Sequence, residues 1–239
     1  TKQLIEVTGG EASFLFGQSW IFGVVMAMLV GLIIIGGIKS IAKVTDKVVP
    51  FMVGIYVLGA MVVLVGNVAE IPSAFALIIS SAFSPEAAYG GLIGVLIVGF
   101  QRAAFSNEAG IGSASIAHSA AKTNEPVSEG VVALLEPFID TVVICSLSSL
   151  VILTTAMPHN LMGSGLAGIE LTSAAFAWHF AWAPYVIAIA ALLFAFSTTL
   201  AWSYYGLKGW TYLVGEGRFR ALIFQLIFCG FIALGCMLE

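Results

Sequence analysis

Two charged residues and a run of small and polar residues interrupt an apolar stretch near the middle of the sequence. Residues 101–115 read QRAAFSNEAGIGSAS and follow the apolar run GLIGVLIVGF at 91–100. A charge at the centre of a bilayer costs about 2.5–3.5 kcal/mol on insertion scales. We therefore expect Arg102 and Glu108 to have a structural or functional role in this stretch. Gly110 and Gly112 loosen the backbone beside them. Unwound backbone frees carbonyl and N–H groups, which can hold cations, ammonium groups or carboxylates.

A second group of polar residues lies at 194–202, which reads FAFSTTLAW. Thr198 and Thr199 are adjacent hydroxyls in an otherwise apolar stretch, and Trp202 shares a helix face with Thr198 four residues earlier. Together with the Ala195 carbonyl, the hydroxyls can supply oxygen ligands to a small hard cation. The alternatives are hydrogen bonds between helices for the threonines and simple packing for Trp202.

The composition requires a membrane environment. Of the 239 residues, 60% are hydrophobic and only 9% are charged, with a mean hydropathy of +1.06. Soluble domains average roughly a quarter charged residues, so this chain cannot build a surface that faces water. We therefore predict an all-α, polytopic helical membrane protein with no nucleic-acid partner. Its expected surroundings are a lipid bilayer.

Hydropathy predicts about six membrane segments in a single transmembrane domain spanning 1–239. The segments are 19–38, 49–67, 91–120, 129–156, 183–205 and 219–238. Residues 70–84 are too short for a crossing and predict an interfacial helix. The chain begins at Thr1 and ends at Glu239 directly after an apolar stretch, so we expect a fragment of a longer protein of the size of a transporter.

The basic residues indicate the orientation. Seven of the nine fall in the loops after the first, third and fifth segments, whereas 67–90 and 157–182 contain no Lys or Arg; Lys2 lies at the N-terminus and Arg102 within a segment. The positive-inside rule makes the positive loops cytoplasmic. The loop residues are Lys39, Lys43, Lys47, Lys122, Lys208, Arg218 and Arg220.

The third segment is predicted to be a broken helix. Residues 91–100 span about 15 Å, half of a hydrocarbon core about 30 Å thick, which places a break at 103–111 near the midplane. Freed backbone groups there must be buried or line a wet cavity, as in the discontinuous helices of secondary transporters. The alternative is a continuous helix with a glycine kink and a structural ion pair between Arg102 and Glu108.

Four segments of the sequence resemble a known family. GFQRAAFSNEAGIGSASIAHSAAKT, EPVSEGVVALLEPFIDTVVICSLSSLVIL, GGIKSIAKVTDKVVPFM and LLFAFSTTLAWSYYG are similar to segments of the alanine/glycine:cation symporters, also called sodium:alanine symporters. The resemblance implies a partial inverted-repeat, leucine-transporter-like fold with one discontinuous helix in this chain. The first helices of that fold, including the other broken helix, and its last helix would be absent from this chain. The implied location is the bacterial cytoplasmic membrane.

The resemblance also implies roles for the polar residues. The substrate would be bordered by Ala104, Phe105, Ser106, Gly110, Thr198 and Trp202. A sodium ion would be held by Ala195, Thr198 and Thr199, with the remaining ligands on the absent broken helix. Na⁺ is then the coupling ion, and no resident cofactor is expected. The expected activity is Na⁺- or H⁺-coupled symport of a small neutral amino acid, such as alanine or glycine, by alternating access.

Some assignments stay open. Arg102 and Glu108 pair with each other or with Asp140 or Glu136, as a gating or structural pair; direct cation coordination or proton coupling is the alternative. The alternative function is a channel or a passive membrane subunit. We expect no enzyme, because the sequence shows no arranged catalytic triad or paired carboxylates. His118, His159 and His179 are expected to be solvated interface residues.

Overall fold

The computed structural model describes residues 1–82, 96–97, 99–100, 111–159, 161, 165–166 and 168–238. Helices and their connecting turns account for these residues, and no β-strand occurs among them. The all-α prediction is therefore confirmed. The helices fall into two compact units, Thr1–Tyr56 with Trp182–Glu239 and Val57–Ala181.

The helices follow one another with short connections. In chain order they are α1 (Lys2–Val7), α2 (Ser19–Ile34), α3 (Gly37–Gly66), α4 (Ile71–Ala82), α5 (Ala114–His118), α6 (Pro126–Ala156), α7 (Ile169–His179), α8 (Ala183–Val214) and α9 (Arg218–Met237). Short 3₁₀ turns lie at Gly10–Ala12 and Val68–Glu70. Within α6, Phe138–Cys145 forms a π-helical segment.

Four of the described helices are long and apolar enough to cross a membrane, namely α3, α6, α8 and α9. The shortest of them, α9, has 20 residues and so measures about 30 Å, the thickness of a hydrocarbon core. The chain is therefore a multi-pass membrane protein. The 16 residues of α2 and the 12 of α4 make shorter apolar helices, of about 24 and 18 Å.

The boundary between the first two predicted segments was wrong. We expected a basic loop there, but α2 ends at Ile34, and α3 begins at Gly37, whose φ is +66°. Lys39, Lys43 and Lys47 therefore lie on the first turns of α3. Their spacing of four residues puts all three on one exposed helix face, while Ile41 on another face is buried. A repeat of every four residues is a helical period, which explains why these charges extend α3 and do not form a loop.

Small residues hold α2 against α9 in the unit that contains both termini. A Cβ added at Gly23 would lie 2.7 Å from the carbonyl oxygen of Ala233, and one at Gly31 would lie 3.3 Å from the Cys229 sulfur. Close backbone approach through small residues is a recurrent way to pack helices in lipid, where dispersion contacts replace the hydrophobic effect. Gln225 Nε2 also donates to the Ile34 carbonyl oxygen at 3.0 Å, which satisfies a carbonyl at the end of α2.

The other unit packs α4 and α7 against the C-terminal half of α6. Val151, Thr154 and Thr155 of α6 are buried in this contact. Gly59 of α3 leaves room for the buried Phe176 ring of α7, since an added Cβ would lie 3.3 Å from that ring. Short helices thus cover one end of a spanning helix.

The packing of α2 on α9 predicts opposite effects for two glycine substitutions. Gly23→Ala places a methyl group against a backbone oxygen that cannot move alone, so we expect a loss of about 1–3 kcal/mol in stability. Gly230→Ala on α9 meets nothing within 4 Å, so the helix propensity of alanine should stabilise it by up to about 1 kcal/mol. Denaturant titration of the purified protein, followed by tryptophan fluorescence, measures both. A Gly23→Ala variant as stable as Gly230→Ala would contradict this packing.

Candidate functional site

The predicted break lies largely outside the described residues. Positions 101–110 include Arg102, Ala104, Phe105, Ser106, Glu108 and Gly110, so the roles assigned to these six residues remain predictions. The described chain resumes at Ile111. Gly112 has φ +79°, and α5 begins two residues later. An α-helix requires a negative φ, so α5 does not extend back through Gly112.

Ala195, Thr198 and Trp202 lie on one exposed face of α8. Their spacing of three and four residues places them on the same side of a continuous helix. Leu200 and Ser203 are buried on another side. Trp202 is 39% exposed, and its ring and the Tyr205 ring pack in a T-shaped arrangement with 6.0 Å between centroids. The structure thus brings the three predicted residues together on one helix face.

The hydroxyl groups of α8, all of whose residues are described, differ in their hydrogen bonding. Four of them donate to carbonyl oxygens of their own helix, at 2.6–3.1 Å. These belong to Ser197, Thr199, Ser203 and Thr211. The Thr198 hydroxyl has no hydrogen-bond partner among the described residues. Transfer of a hydroxyl without a hydrogen-bond partner into an apolar medium costs about 2–7 kcal/mol. We therefore expect a polar group or an ion to lie next to this face of α8.

The oxygen atoms at this face are not equally free to bind a cation. Thr199 Oγ1 donates to the Ala195 carbonyl oxygen at 2.7 Å, which leaves both lone pairs of the hydroxyl available. The Ala195 oxygen accepts this bond and also the helical bond from the Thr199 N–H, which occupies both of its lone pairs. The hydroxyls of Thr198 and Thr199 are therefore better placed as cation ligands than the carbonyl of Ala195.

Asp140 lies in the π-helical segment Phe138–Cys145 of α6 and is half-buried. A π-helical turn shifts the register of the side chains that follow and is frequently found at functional sites. The segment begins directly after Pro137, whose ring removes a backbone donor from the helix. Two of the partners predicted for Asp140, Arg102 and Glu108, fall among positions 101–110. A gating role for Asp140 therefore remains a prediction.

Comparison with known proteins decides the family. The model of the sodium:alanine symporter family matches residues 3–239. The chain belongs to the sodium:alanine symporter family. Membership confirms the resemblance found in the sequence, and the family is one of symporters rather than of enzymes.

Individual relatives have transporter names. The chain is 42% identical over 201 residues, 84% of its length and 44% of the relative's, to the sodium/alanine symporter AgcS of Methanococcus maripaludis. It is 38% identical over 223 residues, 90% of its length and 48% of the relative's, to an uncharacterized transporter of Haemophilus influenzae. The probable sodium/glutamine symporter GlnT of Bacillus subtilis is 34% identical over 219 residues, 91% of this chain and 45% of GlnT. The chain thus spans about half the length of these family members.

His118 is not the solvated residue that we expected. Its Nδ1 lies 2.6 Å from Glu129 Oε1, and its Nε2 lies 3.9 Å from Glu136 Oε2, with 24% of the imidazole side chain exposed. The cluster links α5, which follows the predicted break, to the first turns of α6. Glu129 and Glu136 are seven residues apart, which is the spacing of one helix face, so the sequence carries a signal for a partner that both carboxylates share.

His179 is likewise held by neighbouring helices. Asn67 Nδ2 donates to His179 Nε2 at 2.8 Å, and Thr155 Oγ1 lies 3.2 Å from the same nitrogen. A nitrogen that accepts a hydrogen bond carries no proton, so this geometry holds the ring neutral. Burial and, secondarily, the nearby His159 lower the pKa of His179. The His159 ring itself stacks on Trp178 at 3.8 Å, so neither residue is simply solvated.

The lowered pKa of His179 predicts acid sensitivity of the contact among α3, α6 and α7. The ordinary pKa is 6.5, and above it the ring is neutral in both the folded and the unfolded chain. As the pH falls below 6.5, the unfolded chain takes up the proton first, so stability should decrease until the folded-state pKa is reached. His179→Gln keeps a hydrogen-bond acceptor for Asn67 but does not titrate, and should flatten this dependence.

Thermal unfolding of the purified protein between pH 7.5 and 4.5, a range of about three units around the ordinary pKa, measures the effect. His159→Gln is the matched control, because it leaves His179 in place and should preserve most of the pH dependence. An unchanged pH dependence in His179→Gln would show that another group is responsible.

Proposed function

We propose that this chain is part of a secondary active transporter that couples the symport of a small neutral amino acid, such as alanine or glycine, to Na⁺ or H⁺. The observation that carries the proposal is the Thr198 hydroxyl, which lacks a partner among the described residues and lies on an exposed face of a spanning helix. The name of the relative AgcS, a sodium/alanine symporter, supports Na⁺ and alanine. The name of GlnT, a probable sodium/glutamine symporter, supports the same ion with a different amino acid.

The fold that we propose is a partial inverted-repeat, leucine-transporter-like arrangement with one discontinuous helix. The left-handed backbone at Gly112 supports a helix that is interrupted before α5. Alternating access would then move the helices around a site at this interruption. The family members are about twice as long as the chain, so their additional length would supply the other helices of the fold, including a second broken helix.

The proposed ion site centres on α8. The hydroxyls of Thr198 and Thr199 are hard oxygen donors, which suit Na⁺, and the Ala195 carbonyl would join them if it exchanged a hydrogen bond for the ion. The remaining ligands would come from the second broken helix. Na⁺ acts here as the coupling ion and travels with the substrate, so no resident cofactor is needed.

The proposed substrate site includes Trp202 of α8 and residues of the predicted break. Carbonyl groups near Ala104–Ser106 would hold the ammonium group, while Phe105 and Trp202 would border a short side chain. Gly110 would allow close backbone approach to the substrate. The charged residues Arg102, Glu108 and Asp140 would form the gating or structural ion pairs.

The proposed location is the bacterial cytoplasmic membrane. The lysines at the start of α3 and the basic residues between α8 and α9 lie at helix ends that the positive-inside rule assigns to the cytoplasm. A lipid bilayer is then the surrounding phase.

Removal of the hydroxyls of α8 should weaken sodium coupling. Loss of one hydrogen-bonding or coordinating contact to a charged group costs about 1.5–3 kcal/mol, roughly ten- to hundredfold in affinity. Thr198→Val and Thr199→Val in the full-length protein should each raise the Na⁺ concentration for half-maximal alanine uptake by at least about tenfold. Uptake of labelled alanine into proteoliposomes under a sodium gradient measures the change.

Thr45→Val on α3 is the matched control. The Thr45 hydroxyl donates to the Ile41 carbonyl at 3.0 Å, as Thr199 does to Ala195, but it lies on a different helix from the proposed site. Its replacement should leave the sodium dependence unchanged. Alanine uptake that does not depend on the sodium gradient would exclude the proposed ion site. Equal changes of the sodium dependence in all three variants would exclude it as well.

A further inference from the structure

We propose that a cavity among α2, α3, α8 and α9 binds the phosphate group of an anionic phospholipid of the cytoplasmic leaflet. The cavity has a volume of 340 Å³ and lies where α2 ends, α3 begins, and the connection between α8 and α9 turns. The proposal concerns a lipid site that is separate from the face proposed to bind ion and substrate. It does not depend on the substrate that the protein transports.

The walls of the cavity are divided by polarity. Ile38, Leu207 and Ala221 contribute apolar surface, while Lys208 and Arg218 place basic side chains at the rim. A phospholipid has the same division, with a charged headgroup next to hydrocarbon. Basic pockets between membrane helices on the cytoplasmic side are a recurrent form of anionic lipid site.

The basic side chains at the rim are available for an anion. Lys208 and Arg218 are both exposed, and neither forms an ion pair in the described part of the chain. The Lys208 ammonium lies 5.6 Å from the centre of the Tyr204 ring, which leaves its hydrogen-bonding capacity unused. Glu216 is the acidic residue of the cavity wall, and the two basic residues outnumber it.

The first turn of α9 adds to the positive potential of the cavity. Its N-cap residue, Gly217, has no side chain to cap the helix, and the Ala221 N–H is bonded to the Gly217 carbonyl at 3.0 Å. The N–H groups of the preceding turn therefore have no acceptor within the helix. These groups and the helix dipole favour a negative charge at the same end of α9 as Arg218.

Aromatic residues near the cavity support a position at the depth of lipid headgroups. Trp210 donates through Nε1 to the Arg220 carbonyl at 3.0 Å, and Tyr212 is 89% exposed. Trp and Tyr concentrate at the interface between headgroups and hydrocarbon. A free phosphate ion would share the headgroup chemistry, but the apolar part of the cavity favours a lipid.

The test is lipid binding by the purified full-length protein, measured by native mass spectrometry. Phosphatidylglycerol and phosphatidylcholine with identical acyl chains are the probes, and glycerol 1-phosphate is the soluble competitor. The protein should bind phosphatidylglycerol more tightly. Each basic residue near the membrane surface contributes about fivefold in affinity, so Lys208→Gln with Arg218→Gln should weaken this binding by about thirtyfold.

Two further variants distinguish lipid binding in the cavity from a general attraction of anionic lipid to basic side chains. Lys43→Gln with Lys47→Gln removes the same charge from an exposed face of α3 and should change the affinity by less than about threefold, because those side chains lie outside the cavity. Ala221→Phe keeps every charge but fills the cavity, and should abolish the preference for phosphatidylglycerol.

Several results would overturn the proposal. Equal binding of the two lipids, or equal losses in the two double variants, would show that the cavity does not recognise an anionic headgroup. Undiminished preference in Ala221→Phe would place the lipid elsewhere. Competition by glycerol 1-phosphate at the concentration at which phosphatidylglycerol binds would identify a soluble phosphate as the ligand instead.

Discussion

The hydrogen-bonding requirement of polar groups in lipid governs this structure. A membrane interior offers no water, so each backbone and hydroxyl group needs a partner within the protein. The long helices meet this requirement for their backbones, and four of the five serine and threonine hydroxyls of α8 meet it by bonding to their own helix. Against this background Thr198 is exceptional, because it faces outward beside Trp202 without a partner in the described chain. The functional proposal follows from that exception.

The same physics explains how the helices meet one another. Since lipid is as apolar as the side chains, the helices associate through close fit, as at Gly23 and Gly31, and through polar contacts at helix ends. His118 joins α5 to α6 through two glutamates, and His179 joins the ends of α3, α6 and α7. Both histidines lie near the ends of spanning helices, where charges and polar groups are least costly.

The sequence predicted the helical membrane class, two of the four long spans (α6 and α9) to within a few residues at both ends, and the shared face of Thr198 and Trp202. These features follow from local properties, namely hydropathy and helical period. It misplaced the start of α3, because charged residues were assigned to a loop although Lys39, Lys43 and Lys47 repeat every four residues. It also missed the partners of His118, although the seven-residue spacing of Glu129 and Glu136 indicates a shared helix face. The partners of His179 come from distant helices and leave no local pattern. The close fit of Gly23 against Ala233 depends on two backbones approaching, so neither sequence segment predicts it alone.

The central claim is that the exposed face of α8 around Thr198 binds the coupling ion, and thiol accessibility tests it most directly. In the full-length protein with Cys145, Cys229 and Cys236 replaced by alanine, Ala195→Cys adds a thiol to this face and leaves both threonine hydroxyls intact. The rate of its reaction with a methanethiosulfonate reagent can be compared in NaCl and KCl of equal ionic strength. We predict that Na⁺ slows the reaction at least about tenfold, as expected for an ion bound with a free energy of more than about 1.4 kcal/mol at that face. Equal rates in the two salts would contradict the account.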